Sequence, residues 1–291
     1  MHEIVIISGK GGAGKTSISG AFAHLAKKAI LCDLDVDAPD LHLLLAPKHR
    51  AEEAFISGNE ATIAPERCTA CGQCQDVCRF NAIVEKDDVY SVNPILCEGC
   101  KVCVTLCPAQ AIDFPDKHCG QWYVSDTRFG TLVHAQLFPG EENSGRLVTL
   151  LKQKARAIAE EQGLDLVVCD GSPGIGCPVI SSMAGTDLAV VVTEPTPSGL
   201  HDLKRVAELC QGFRSTVAVL INKWDINPEM SDEIEAWCKA NGHSVICRFP
   251  HSRMVVDAML VREVLTEFEN GPLSQQLKKA WSDITAMLDT K

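Results

Sequence analysis

Short apolar runs of strand length recur along the chain and are separated by longer segments of helical character. The runs are residues 3–7, 29–33, 164–169, 187–193, 216–221 and 244–247, and helices are predicted over residues 17–27, 146–162, 198–212 and 272–288. Nearly continuous apolar runs are typical of parallel strands buried on both faces. This alternation predicts an α/β fold, a mostly parallel doubly wound sheet whose ligands bind at the carboxyl ends of the strands.

The junction between the first strand and the first helix carries a phosphate-binding pattern. Residues 8–16 read Ser-Gly-Lys-Gly-Gly-Ala-Gly-Lys-Thr, which matches GxxxxGK[ST]. Glycines let successive backbone N–H groups point at one spot, and the helix adds its positive N-terminal end. Lys15 would reach the β and γ phosphates and the Thr16 hydroxyl would hold Mg²⁺. A glycine-rich turn that only starts a helix is the plain alternative. The predicted nucleotide-binding residues here are Gly11, Gly12, Ala13, Gly14, Lys15, Thr16 and Ser17.

Carboxylates follow two of the other predicted strands. Asp33, Asp35 and Asp37 come directly after residues 29–33, and Asp170 opens the sequence Asp-Gly-Ser-Pro-Gly after residues 164–169. At the carboxyl edge of a parallel sheet, Mg²⁺ and an attacking water are natural ligands of such groups. Asp170 is predicted to bind Mg²⁺ through water, and the glycines after it to move when the γ-phosphate is lost. A solvated acidic turn is the alternative at Asp33 to Asp37.

Cysteines dominate the middle of the chain. The protein has 15 cysteines among 291 residues, an odd and clustered set that favours metal ligation over a disulfide framework. Within residues 61–115 the spacing CxxCxxCxxxC occurs twice, at a constant offset that also matches Ala82 with Ala111 and Ile83 with Ile112, so two copies of one unit are predicted. Four-thiolate zinc sites are the structural alternative. The eight cysteines are Cys68, Cys71, Cys74, Cys78, Cys97, Cys100, Cys103 and Cys107.

The phosphate loop contains a second lysine, Lys10, in the form GKGGxGKT. This resembles the deviant loop of the MinD, ParA, Mrp and nitrogenase-iron-protein class of ATPases. The resemblance implies a homodimer that closes face to face, with Lys10 reaching the nucleotide of the partner subunit. It also implies that Asp33 and Asp37 lie near the metal and its water shell, while Asp35 orients the hydrolytic water. Lys10 as a solvated loop charge is the plain alternative.

The cysteine runs resemble those of the bacterial two-cluster ferredoxins. That resemblance implies two 4Fe-4S clusters, with the fourth cysteine of each run ligating the other cluster. One cluster would then take Cys68, Cys71, Cys74 and Cys107, and the other Cys97, Cys100, Cys103 and Cys78. Arg79 follows Cys78 where the family usually has proline, and this departure is expected to shift the potential of one cluster or expose it.

Two segments near the end of the sheet bear on the nucleotide base. Asn222-Lys-Trp-Asp225 matches the NKxD pattern that reads guanine in GTPases. In the deviant-loop ATPases the asparagine at this strand end contacts adenine, and residues 249–252 resemble the base-enclosing IPxD loop of that class. Ser252 stands where aspartate is usual. We predict ATP and ADP as ligands, with Asn222 and Pro250 at the base, and GTP as the alternative.

The composition of the chain restricts the classes of partner and the cellular location that we expect. A net charge of -11 argues against a nucleic-acid partner and against anionic lipid. No leader pattern precedes the first strand, and no apolar run approaches the roughly 18 residues of a membrane span, so a cytoplasmic location is expected. The last helix has one apolar face; its polar face carries Lys278, Lys279, Asp283 and Asp289, which favours packing on the core over stable membrane association.

These expectations define a domain organisation and two leading functions. Residues 1–60 and 116–291 are predicted to form the P-loop ATPase domain, and residues 61–115 an inserted 4Fe-4S ferredoxin domain of α+β type. The first function is a nucleotide-gated dimer that couples ATP turnover to electron transfer toward a redox partner. The alternative is an ATPase that assembles or carries an iron-sulfur or metal cofactor for a maturation partner, and a labile cluster at Cys119 or Cys177 would favour it. A MinD-type spatial-positioning ATPase is a third, less favoured function.

Overall fold

The computed structural model describes residues 1–288. Over that range the strands are β1 (His2–Ser8), β2 (Ile30–Asp33), β3 (Lys48–Asn59), β4 (Thr62–Ile63), β5 (Ile83–Lys86), β6 (Val89–Val92), β7 (Ile112–Asp113), β8 (Asp116–Thr127), β9 (Gly130–Leu137), β10 (Leu166–Pro173), β11 (Leu188–Thr193), β12 (Thr216–Asn222) and β13 (Ser244–Phe249). The helices are α1 (Lys15–Leu25), α2 (Leu41–Leu45), α3 (Gln73–Asp76), α4 (Val102–Leu106), α5 (Ser144–Gln162), α6 (Cys177–Met183), α7 (Pro197–Gly212), α8 (Pro228–Ala240), α9 (Arg253–Leu260), α10 (Leu265–Phe268) and α11 (Pro272–Ala286), with a 3-10 turn at Trp224–Ile226.

The described chain divides into two compact units. The first contains residues 1–53, 122–136 and the chain from Ser144 onward; the second contains residues 54–121 and 137–143. The chain therefore passes between the units within β3, β8 and β9, and again at the start of α5. The predicted boundaries of the inserted domain at residues 61–115 stay a prediction, since the second unit also takes in residues on both sides of them.

The first unit is built on one sheet with the strand order β13-β12-β11-β1-β10-β2-β9-β8-β3. From β13 to β9 each neighbouring pair is parallel. The prediction of a mostly parallel α/β sheet is confirmed. Register places Ile6 of β1 opposite Asp170 of β10, and Asp170 opposite Asp33 of β2. The carboxyl ends of these three strands thus bring the phosphate loop and two of the predicted aspartates to one edge.

Helix α11 packs its apolar face into the core of this unit. Leu273, Leu277 and Ile284 are buried, and the Trp281 ring lies 5.1 Å from the Phe22 ring of α1. These side chains are removed from water because an amphipathic helix gains most by burying its apolar stripe against other elements. Asp289, assigned to the polar face of this helix from the sequence, lies outside the described residues.

A buried ion network fixes α5 against β1. Glu3 is only 3% exposed, and its carboxylate contacts Lys152 at 2.5 Å and Arg156 at 2.7 Å. Lys152 is also buried and donates to the carbonyl oxygens of Ser182 and Ala184 at the end of α6. Burial of these charges is tolerated because each is paired and hydrogen-bonded.

The second unit is small and contains two short antiparallel sheets, β4-β7 and β5-β6, with the helices α3 and α4. Its apolar centre consists of Ala61, Ile63, Ile83 and Ile112, against which six of the predicted ligand cysteines pack. So few apolar side chains would give a unit of this size little stability without a further cross-link such as a bound metal. Among residues 1–288, none of the helices is both long and apolar enough to span a membrane.

Candidate functional site

The phosphate loop joins β1 to α1 in the first unit, and its glycines are required by close contacts. Gly12 and Gly14 have φ values of 80° and 92°, which side chains with a Cβ rarely adopt. A Cβ on Gly14 would lie 2.2 Å from Nδ2 of Asn222, and one on Gly9 would lie 2.2 Å from Cβ of Asp202. The loop is therefore shaped for a backbone that presents N–H groups directly ahead of a helix N-terminus.

Lys15 faces two carboxylates at the edge of the sheet. Its Nζ lies 3.0 Å from Oδ1 of Asp170 and 3.3 Å from Oδ2 of Asp35. Burial would lower the pKa of Lys15, but the charges of Asp170 and Asp35 outweigh it and raise that pKa, so the amine stays cationic. Ser19 Oγ donates to Asp170 Oδ1 at 2.7 Å. Asp170 Oδ2 is buried and has no hydrogen-bond partner within residues 1–288, which leaves an oxygen suited to a cation or its water shell.

The three aspartates after β2 have different surroundings. Asp33 accepts backbone N–H bonds on both oxygens, from Asp35 at 3.1 Å and from Leu41 at 3.2 Å. Burial, and then the charge of Asp170, raise the pKa of Asp33 well above its usual range. Asp37 is exposed, and Asp35 is partly buried. Asp33 therefore shapes the loop over residues 33–41, and the assignment of Asp33 and Asp37 to the metal stays a prediction.

Lys10 contacts an acidic residue that the sequence did not single out. Its Nζ lies 2.6 Å from Oε1 of Glu194, just past β11, and donates to Ser198 Oγ at 3.1 Å. The other oxygen of Glu194 contacts Lys223 Nζ at 3.3 Å. Burial would raise the pKa of Glu194, but hydrogen bonds to Lys10 and Lys223 outweigh it and lower that pKa. Glu194 thus links the second lysine of the loop to the strand end that carries Asn222.

A largely apolar cleft adjoins the phosphate loop. Asn222 and Pro250, the two predicted base contacts, both line it, as do Phe249, Val255 and Val264. Asn222 Nδ2 donates to the carbonyl oxygen of Ala13 at 2.8 Å, so its side chain is anchored on the phosphate loop. An apolar slot with a few polar groups is suited to a planar base.

The eight predicted ligand cysteines of the second unit line two cavities. Each cavity takes three cysteines from one run and the fourth cysteine of the other run. The first is lined by Cys68, Cys71, Cys74 and Cys107, and the second by Cys97, Cys100, Cys103 and Cys78. Four thiols around a space, with thiolate as the ligand type that iron-sulfur clusters use, form a donor set that fits such a group. No group of three His, Cys, Asp or Glu side chains among the described residues is arranged around a single metal ion.

Backbone geometry repeats between the two cysteine runs. Three pairs of equivalent residues share the left-handed conformation: Ala70 and Gly99 (φ 53° and 59°), Gly72 and Lys101 (78° and 65°), and Asn81 and Gln110 (53° and 48°). Ala82 N–H donates to Cys78 Sγ at 3.4 Å, and Ala111 N–H to Cys107 Sγ at the same distance. Since non-glycine residues rarely adopt positive φ, this agreement supports two copies of one structural unit.

The remaining two cysteines of interest differ in exposure. Cys119 in the second unit is fully buried, donates to the Ser57 carbonyl oxygen at 3.1 Å and lines neither cavity. Burial raises the pKa of its thiol to about 11, which disfavours the thiolate that a ligand needs. Cys177 in the first unit is exposed at the start of α6.

Comparisons with known proteins bear on both units. Uncharacterized protein MJ0578 of Methanocaldococcus jannaschii is 37% identical over 228 residues, which are 77% of this chain and 79% of that protein. Hydrogenase-4 component A of Escherichia coli is 45% identical over 51 residues, 17% of this chain and 25% of that protein. The septum site-determining protein MinD of Pyrococcus horikoshii, solved with Mg-ADP, matches with a TM-score of 0.59 over 99% of this chain and 98% of that one. At 14% identity that match concerns the fold alone.

A family model describes most of the chain. The CobQ/CobB/MinD/ParA nucleotide binding domain matches residues 4–270, a range that contains the phosphate loop, Asp170 and the strand end at Asn222. This agrees with the resemblance inferred from the deviant loop. The protein belongs to the CobQ/CobB/MinD/ParA family of P-loop ATPases.

Proposed function

We propose that this protein is an ATP-hydrolysing iron-sulfur protein, in which a nucleotide-gated homodimer couples ATP turnover to electron transfer through two 4Fe-4S clusters. The observation that carries the proposal is the pair of four-cysteine cavities in a chain that also holds a complete phosphate loop. The MinD structure of similar fold was solved with Mg-ADP, which supports the proposal that this protein binds a nucleotide. The short match to a hydrogenase component supports the proposal that it transfers electrons.

The phosphate loop supplies the groups for phosphoryl transfer. Backbone N–H groups of residues 11–16 bind the phosphates, and Lys15, which stays cationic, offsets charge on the β and γ phosphates. Thr16 and Asp170 would hold Mg²⁺, which supplies further positive charge at the β and γ oxygens when bound. Asp35 would orient the attacking water, and its contact with Lys15 at 3.3 Å, which keeps it beside the phosphate loop, supports this role.

Lys10 is the residue through which the bound nucleotide controls the closing and opening of the dimer. In a single chain its amine is held by Glu194 and Ser198. In the proposed homodimer it leaves these partners and contacts the nucleotide of the other subunit, completing the charge around the transferred phosphoryl group. Loss of the γ-phosphate removes that interaction and returns Lys10 to Glu194, so the dimer opens. The two-fold symmetry of the dimer requires each subunit to supply its lysine to the other.

The second unit would hold the clusters through thiolates of the two crossed cysteine sets, and the clusters would supply one-electron transfer when bound. Ala82 and Ala111 donate N–H bonds to Cys78 and Cys107, and such donors stabilise the more negative, reduced state. A redox protein is the proposed partner. Cofactor assembly or transfer is the second candidate function, favoured by the exposed Cys177, which a labile cluster shared with a partner could use.

The first experiment measures iron and sulfide in anaerobically purified protein, together with EPR of the reduced state, before and after incubation with Mg-ATP and an apo-ferredoxin acceptor. About eight irons per chain, retained while the reduced spectrum changes with nucleotide, are expected for electron transfer. Loss of iron to the acceptor only during ATP hydrolysis would instead establish a cluster carrier. Zinc without iron would refute both functions.

A complementation experiment tests the action of Lys10 in the other subunit. Lys10→Ala and Lys15→Ala are each expected to lose ATP hydrolysis. Mixing them should restore activity, because the Lys15→Ala subunit still supplies its Lys10 to the intact site of the other. Differently tagged chains confirm that mixed dimers form. If mixed dimers form and stay inactive, Lys10 acts within its own chain.

A further inference from the structure

We infer that Asp225 is a positioning residue for the nucleotide base, which holds the loop over residues 249–252 in place and does not read a base edge. This inference rests on the proposed ATP site and adds a residue that determines how that site is built. Asp225 belongs to the Asn222-Lys-Trp-Asp225 pattern that in GTPases recognises guanine, so its role here decides what that pattern does in this chain.

The first half of the pattern is bound to the phosphate loop. Asn222 Nδ2 donates to the Ala13 carbonyl oxygen at 2.8 Å, and Lys223 Nζ donates to the Gly12 carbonyl oxygen at 2.9 Å. Lys223 has a φ of 57°, which turns the backbone sharply after β12. These two contacts fix where the chain leaves the sheet and therefore where Asp225 lies.

The second half of the pattern is bound to the opposite wall of the cleft. Asp225 Oδ1 accepts the backbone N–H of His251 at 2.6 Å. His251 lies between Pro250 and Ser252, and all three line the cleft together with Asn222. The bond is charge-assisted and short, and the Asp225 side chain that makes it is exposed to water. The pattern thus connects the phosphate loop to the base loop through side chains at both of its ends.

This contact gives Asp225 a partner other than a base. Recognition of guanine by a carboxylate uses both of its oxygens for two N–H groups of the base edge, whereas Oδ1 of Asp225 accepts the backbone N–H of His251. The cleft that this arrangement leaves is mostly apolar, lined by side chains such as Phe249, Val255 and Met259. Such a surface selects the base by shape and stacking, and its geometry depends on the loop that Asp225 holds.

The test compares binding of ATP, GTP, XTP and inorganic tripolyphosphate, all with Mg²⁺, to the full chain and three variants. Asp225→Ala removes the acceptor, and Asp225→Asn keeps a neutral one at the same position. Asp232→Ala is the matched control, an exposed carboxylate nearby in sequence that pairs with Arg248. Steady-state ATP hydrolysis by each protein separates KM from kcat.

Asp225→Ala should weaken ATP binding and raise KM about tenfold, as expected for loss of one hydrogen bond to a charged group, with kcat nearly unchanged. Tripolyphosphate, which has no base, should bind this variant as it binds the unaltered protein. Asp225→Asn should restore ATP affinity to within about threefold and gain no affinity for XTP. Asp232→Ala should match the unaltered protein.

Three results would overturn the inference alone, and the first two are a gain of XTP binding in Asp225→Asn, which indicates direct base reading, and unchanged ATP affinity in Asp225→Ala. Weakened tripolyphosphate binding in Asp225→Ala would also overturn it, because the effect would then be a general loss of structure. Failure of the unaltered protein to bind ATP would refute the proposed function and this inference together.

Discussion

Acidification should destabilise the first unit through His134, a residue on β9 that is only 5% exposed. Its Nε2 lies 2.9 Å from Ser125 Oγ, and its ring lies 5.0 Å from the ring of Tyr123. Two further imidazoles, His49 and His42, have ring centres at 5.6 Å and 6.3 Å. Burial, then the charges that His49 and His42 would carry, lower the pKa of His134 to about 4.

The lowered pKa of His134 determines how the free energy of unfolding changes with pH. A histidine whose pKa is lower in the folded state stabilises the fold fully above its unfolded pKa, and that contribution is lost as pH falls toward the folded pKa. Between the ordinary value of 6.5 and about 4, the total change is about 3 kcal/mol of unfolding free energy. At pH 5 the unfolded chain is mostly protonated at this site and the folded protein is not, so about 2 kcal/mol is already lost.

Urea unfolding followed by tryptophan fluorescence measures this loss, because all four tryptophans of the protein lie in the first unit. The measurement is made at pH 8 and pH 5 on the unaltered protein and on His134→Gln, which does not titrate. Contributions of other histidines with lowered pKa, such as His24, cancel in the comparison. The unaltered protein should lose about 2 kcal/mol more than the variant. Equal losses would show that His134 is not held neutral by burial.

Three further outcomes are expected. Cys107→Ser should lower the iron content by about four per chain, because it removes one ligand of the cluster held mainly by the other cysteine run, and the second cluster should remain. Cys119→Ser is the control and should leave the iron content unchanged. Iron and sulfide analysis together with EPR measures both outcomes. Lys152→Met should lower the unfolding free energy by about 3–5 kcal/mol in the same urea assay, because it leaves a buried carboxylate on β1 short of a partner; a loss below about 1 kcal/mol would contradict the buried network. Glu194→Gln should raise basal ATP hydrolysis up to about fivefold, because it weakens the contact that holds Lys10. A lowered rate of hydrolysis with unchanged ATP binding would contradict this and would show that Glu194 contributes to catalysis.

Local sequence patterns predicted those parts of the site that are formed by residues close together in the sequence. The phosphate loop needs only glycines between a strand and a helix, so its sequence was sufficient. The position of Asp33 and Asp170 at one edge also followed, since buried apolar runs imply parallel strands whose carboxyl ends share an edge, whereas the direct pairing of their strands was not predicted. The two cysteine sets were assigned by resemblance to ferredoxins, and the structure places the same sets around two cavities.

Other features could not be predicted because they depend on contacts between distant residues or on exposed elements. Strand β3 is mostly exposed and begins with charged residues, so it lacks the apolar run that identifies the buried strands. Strand β8 was likewise missed. The pairing of Lys10 with Glu194 joins residues far apart in sequence, as does that of Asp225 with His251. The available signal was that Glu194 directly follows a predicted strand and that Asp225 lies four residues beyond the end of another, in the region where an open parallel sheet places its functional groups.

Charge balance at the sheet edge gives a reason for nucleotide and divalent cation to bind together. Lys15 is the cation that faces Asp170 and Asp35, and Asp33 lies beside Asp170 on the neighbouring strand. Asp170 and Asp35 face one amine, and burial disfavours the ionised form of Asp33 beside them, so the place tolerates further negative charge poorly, and the phosphates of a nucleotide would add such charge. Oδ2 of Asp170 has no hydrogen-bond partner among residues 1–288, and a divalent cation bound to this oxygen would offset the negative charge of the carboxylates and of the phosphates. Lys15 must turn toward the phosphates to act on them, and a Mg²⁺ ion held by Asp170 would then replace it as the partner of that carboxylate, so we expect phosphate binding to depend on Mg²⁺.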